Sequence, residues 1–66
     1  MTFLQELQSL KGREVSAFIT DGDDTAKIRG TLLQAEDDHV VMLTGWLLLR
    51  KHLIPLSQIV EVRYFP

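Results

Sequence analysis

The chain predicts a mainly β domain: an N-terminal α-helix followed by a five-stranded, strongly bent antiparallel small barrel. Three features of its 66 residues carry this expectation. Gly30 interrupts an apolar run that leads into an acidic turn, Glu36–Asp37–Asp38. A second apolar run leads away from that turn to Leu43, and a closing segment, Ile54 to Val62, offers Ile54 and then, after a Pro-Leu-Ser-Gln corner, Ile59. Glycine within a strand lets the backbone bend sharply or approach another chain closely, as small barrels require.

Taken in order, Thr2-Phe3-Leu4-Gln5 fits a capping box, in which the Thr hydroxyl serves one free amide and Gln5 reaches back to Thr2. Phe3, Leu7 and Leu10, with Leu4 beside them, recur at helical spacing, and Gly12 is the stop. This predicts a helix over about 3–11 whose apolar stripe lies on the sheet as a lid. Residues 14–20 alternate Val15, Ala17 and Ile19 against Ser16, Phe18 and Thr20, a strand period. Asp21-Gly22-Asp23-Asp24 is a hairpin turn by composition. A second strand is expected over 26–36, bent at Gly30. Asp37-Asp38 turns it into a third, 39–44, which Gly45 breaks. Residues 46–53 read as a fourth strand, Pro55-Leu56-Ser57 as a one-turn 3₁₀ corner, and 58–64 as the fifth strand.

A chain this short buries only roughly 60% of its unfolded surface. Cysteine is absent, which removes disulfides and the best zinc ligand together. Eleven leucines in so little volume are buried more readily across a subunit interface, so a homo-oligomer is expected. Net charge is −2, shared evenly between the halves, so general phosphate attraction gains nothing from composition. The longest apolar run near a turn, 46–49, is far short of a membrane span, and no signal-peptide pattern opens the chain. A cytoplasmic protein with no membrane partner is the expectation.

The series of helix and bent strands resembles the Sm-like (LSm) small-barrel superfamily, of SH3-like architecture, and in particular a short bacterial branch of uncharacterised proteins. Those proteins open on Leu-x-Gly-x-x-Val and close on Ile-Pro-Leu-x-x-Ile. Gly30, Leu32, Ala35, Glu36, Val41 and Leu43 fall on the first Sm motif without a gap, and Ile54 and Ile59 on the second. The resemblance implies ring formation, with the fourth strand of one copy pairing the fifth of the next. It also implies a uridine pocket, and there the residues depart from the pattern. Asp38 stands where a stacking side chain is needed, Val40 where an Asn reads the base, and Pro55 and Leu56 replace Arg and Gly. A carboxylate repels phosphate and offers no stacking face. The Lys51-His52 pair, similar to one in bacterial Sm-like RNA chaperones, sits three residues too early against this motif.

Other chemistries find little support. The spacing of Asp21, Asp23, Asp24, Asp37 and Asp38 does not match an EF-hand, and turn solvation explains them. His39 and His52 are too far apart in sequence to imply a shared metal site. Ser9, Ser16 and Ser57 lack a nucleophile context. No catalytic residue, metal or cofactor is therefore assigned, and the chain is not expected to be an enzyme. Trp46 beside Leu47 is expected to pack in a core or interface, or else to stack on a base.

The expected function is non-enzymatic: an Sm-like domain that self-assembles as a ring or dimer and serves as a scaffold or adaptor for protein partners. Leu47, Leu48, Leu49, Leu53, Ile59, Val60, Val62 and Tyr64 are the expected oligomer interface. The alternative is an RNA-binding protein that uses a basic outer face rather than the pore. Arg50, Lys51, His52 and Arg63 would supply that face, with Arg63 on the strand neighbouring the other three, and Trp46 beside them.

Overall fold

The computed structural model describes residues 1–65. One short helix, α1 (Phe3–Ser9), precedes β1 (Glu14–Asp21), β2 (Asp24–Ala35), β3 (His39–Thr44), β4 (Arg50–Pro55), a 3₁₀ turn (Leu56–Gln58) and β5 (Ile59–Tyr64). All pairings are antiparallel, in the order β4-β3-β2-β1-β5. The sheet is not closed: β4 and β5 are its two outer edges.

The helix begins as its sequence requires. Gln5 N donates to Thr2 Oγ1 at 3.1 Å, and Thr2 N donates to Gln5 Oε1 at 2.9 Å, completing the capping box. The helical hydrogen bonding ends at Ser9 rather than Lys11, and single bonds such as Leu10 N to the Leu7 carbonyl tighten the exit. Leu7 and Leu10 enter the core and Leu4 packs against it, whereas Phe3 is exposed and stands outside the stripe. Burying each of the two leucines contributes about 2 kcal/mol. Gln8 Nε2 ties the helix to β2 through the Ala35 carbonyl at 3.3 Å.

Period-two alternation sends Val15 and Ala17 of β1 inward, with Leu32 and Ala35 of β2, Val40 and Met42 of β3, and Ile54 of β4. Leu32 and Ala35 are three residues apart, so strict alternation would place them on opposite faces. A bulge reconciles them: Leu32 faces Met42, Gln34 faces Val41, and Leu33 is the extra residue. Val60 plays the same part in β5, where Phe18 faces Glu61 and Ile19 faces Ile59.

β2 pairs with β1 along residues 24–31 and with β3 along 31–35. Gly30 sits at this change of partner. A Cβ there would overlap the Leu43 carbonyl oxygen and crowd the Thr44 methyl group, so only glycine admits β3 so close.

The fourth strand is the main correction to the sequence reading. Residues 46–49 are not in a strand; β4 starts at Arg50 and runs on through Pro55. Thr44 and Arg50 form the last pair of the β3–β4 ladder, leaving residues 45–49 as a five-residue hairpin loop. Gly45 makes this loop tight: its φ is 89°, and a Cβ would collide with the Leu48 carbonyl that folds back on it. An apolar run that satisfies a strand pattern is spent instead on a turn.

Gly30→Ala is expected to destabilise the fold by about 2 kcal/mol, because the neighbour it would strike is backbone and cannot rotate away. Urea unfolding reads this as a lower midpoint with an unchanged slope. An unchanged midpoint would show that β3 does not approach β2 at this point.

Candidate functional site

Alternation along β4 puts Arg50 and His52 on one face and Lys51 on the other, and exposure separates His52 from both cations. Arg50 and Lys51 are exposed, opposite Thr44 and Leu43 respectively. His52 lies opposite the buried Met42, and its Nε2 is 2.9 Å from Thr44 Oγ1, so it belongs to the half-buried inner side. Arg63 is not on a neighbouring strand, as the sequence reading had it: β5 is the opposite edge of the sheet. Its Nε donates to Glu61 Oε2 at 2.6 Å, and its guanidinium lies 4.8 Å from the Phe18 ring centroid. The hydrogen bond to Glu61 holds the guanidinium charged, raising its pKa. The four proposed basic residues therefore do not form one patch.

Trp46 does not pack in the core. It is 86% exposed, at the start of the 45–49 loop with Leu47, Leu48 and Leu49 beside it. Of the expected interface residues, Leu53, Val60 and Tyr64 are exposed on the two edge strands. Ile59 and Val62 are partly buried and pack against the core instead.

A groove of about 570 Å³ on the outer face of β2, β1 and β5 was not anticipated. Lys27, Arg29 and Arg63 line it, together with Phe18 and Tyr64. Register brings them together: Arg29 and Arg63 flank Ser16 from its two neighbouring strands, and Lys27 and Glu61 flank Phe18. Arg29 pairs with Glu14 at 2.6 Å, both side chains largely in solvent, a contact of modest energy. At one end Arg13 lies 5.6 Å from the Tyr64 ring centroid and donates to the Phe65 carbonyl. The signal for this groove is the solvent-facing half of the β1–β2 alternation, read across the hairpin.

Of the residues at the expected uridine-pocket positions, Asp38 and Pro55 share one hollow. Asp38, His39, Leu53 and Pro55 line a hollow of about 540 Å³, with His39 facing Pro55 across the β3–β4 ladder. Val40 is buried opposite Ile54 and presents nothing to solvent. Asp38 Oδ1 is 2.6 Å from His39 Nδ1, and this hydrogen bond, helped by the charge of the imidazolium, lowers the Asp38 pKa. The Leu56 amide donates to the Asp38 carbonyl at 2.9 Å, pinning the turn to the end of β4. Among the described residues no group of three His, Cys, Asp or Glu side chains is placed to hold a metal ion.

The Asp38 carboxyl is expected to titrate below its ordinary value of 3.8 and to return toward it in His39→Ala, as read by carbon-detected NMR. A depressed carboxylate stabilises the fold above its unfolded pKa, and that contribution is lost as pH falls through the folded one. The window therefore lies at and below pH 3.8, and an unshifted titration would remove the His39 contact. No protein-family model, no curated protein and no solved structure matches this chain.

Proposed function

We propose that the chain is an Sm-like domain whose work is assembly, the β4 edge of one copy pairing with the β5 edge of the next to build a non-enzymatic scaffold. The observation that carries this reading is the pair of unpartnered edges at the two ends of one antiparallel sheet. Each edge exposes large apolar side chains, Leu53 at 73% on β4 and Val60 at 60% on β5. Unpaired amides and carbonyls flanked by exposed apolar residues recruit another strand. A β4-to-β5 contact joins two different surfaces, and such a heterologous contact repeats until it closes as a ring.

Chain length supports a curled sheet. Strands β4 and β5 are opposite edges, yet only Leu56–Gln58 lies between them. Four Cα steps span at most about 14 Å. A flat five-stranded sheet would separate its outer strands by roughly 19 Å. A sheet that curves where the turn crosses it fits this length, in keeping with a barrel that a neighbouring copy completes.

Light scattering is expected to give a multiple of the 7.6 kDa chain mass. Leu53→Asp combined with Val60→Glu is expected to reduce the particle to a single chain, since both side chains are exposed and outside the core. A wild-type particle of one chain mass would end the assembly reading.

RNA binding is the second reading, and the outer groove is the observation that favours it, through three cations from β2 and β5 beside Phe18 and Tyr64. Affinity for short uridine- or adenine-rich RNA should then fall steeply with salt. It should also weaken in Lys27→Gln with Arg29→Gln while the particle mass holds. Fluorescence anisotropy reads both effects, and RNA that leaves the anisotropy unchanged at low salt excludes the groove as its site.

A further inference from the structure

The 45–49 loop has no role in edge pairing, because it lies outside β4. Its four large side chains are consecutive and all in solvent: Trp46 86%, Leu47 78%, Leu48 77% and Leu49 62% exposed. A flat protein interface leaves its apolar residues partly covered by their neighbours. These four project from a hairpin end, and the Gly45 turn holds them there without a long flexible segment to order.

Charge around the loop is as distinctive as its apolarity. The chain carries nine Asp and Glu residues, yet none falls between His39 and Val60. Arg50 and Lys51 follow the loop directly, both exposed, and the ion pairs among the described residues involve neither of them. An apolar tip that begins with an indole and ends in two free cations, inside an acid-free stretch of an acidic protein, matches an anionic bilayer surface. Leucine enters the acyl boundary, the indole ring settles at headgroup level, and the cations meet lipid phosphates and carboxylates. A lipid surface also accepts projecting side chains without a matching cavity.

We propose that the 45–49 loop is a membrane-docking tip, inserting Trp46, Leu47 and Leu48 into the interface of an anionic phospholipid bilayer with Arg50 and Lys51 on its headgroups. The protein lies on the bilayer; it does not span it. Among the described residues no helix is long and apolar enough to do so. The tip does not require the edge-to-edge assembly proposed above. A ring would repeat it once per copy on a single face and raise avidity without a new contact.

Trp46 is the sole tryptophan, so its fluorescence reports the tip alone. The full chain is titrated with phosphatidylcholine vesicles, with and without roughly one third phosphatidylserine, at a physiological salt concentration. The anionic vesicles should shift Trp46 emission to shorter wavelength and co-sediment the protein, and the neutral ones should do far less. Arg50→Gln with Lys51→Gln should weaken partition onto the anionic vesicles roughly thirtyfold, from two cations at the surface potential. Leu48→Asp should abolish the spectral shift while circular dichroism and particle mass stay unchanged.

Emission that ignores anionic vesicles overturns the proposal. So does a blue shift that develops with protein concentration in the absence of lipid, since that would place the tip against a second copy. Light scattering on the same samples reports assembly separately, so failure of one reading is not failure of the other.

Discussion

Between Gly30 and Leu32 the central strand changes partners, and the packing of the whole molecule depends on that exchange. Thr31 faces Glu14 on one side and Leu43 on the other. At Leu32 the amide donates to the Arg13 carbonyl and the carbonyl accepts from Gly12 N, so the turn leaving the helix is locked to the same point. The Leu32 side chain then meets Met42 in the core. If β3 stood off from Gly30, Met42 and Val40 would withdraw with it, and Leu7 and Leu10 would have no surface to cover. The missing methyl group at Gly30 is a condition for the lid as much as for the sheet.

Two bulges let a short chain keep its apolar residues in phase. Leu33 absorbs one residue in β2, allowing Leu32 and Ala35 both to face inward. Val60 absorbs one in β5, allowing Ile59 and Val62 to pack against the core. The cost is local: the displaced Val60 is left exposed on an edge strand. A residue that looks misplaced in β5 is therefore a product of core packing, and it also supplies an apolar contact at an open edge.

Much of this was legible in the residues. The capping box, the β1 alternation and the acidic turn each rest on short-range chemistry and lie where the spacing predicts, and the 3₁₀ corner starts one residue later than expected, at Leu56. The 46–53 segment was misread because an apolar run satisfies a strand pattern whether or not it enters a ladder. The deciding fact is the positive φ of Gly45, which turns the chain before the run begins. Arg63 was misplaced for a different reason. Strand adjacency in space does not follow sequence order, and β5 returns to β1 rather than to β4. The outer groove combines three strands, so no single stretch of sequence reveals it.

The pairing of β1 with β5 also governs how the chain must fold. The β1–β2 hairpin closes across a two-residue turn, and β3 and β4 add in succession through short loops. The contact between Val15 and Tyr64, by contrast, joins residues near opposite ends of the chain. Loop-closure entropy places that step last and makes it slow. Until it happens, the far side of β1 is an uncovered template carrying Val15, Ala17 and Phe18. During synthesis β1 emerges before β2, β3 and β4 and waits for all three, so the interval before β5 docks is when the protein is most open to capture by chaperones or to misassociation.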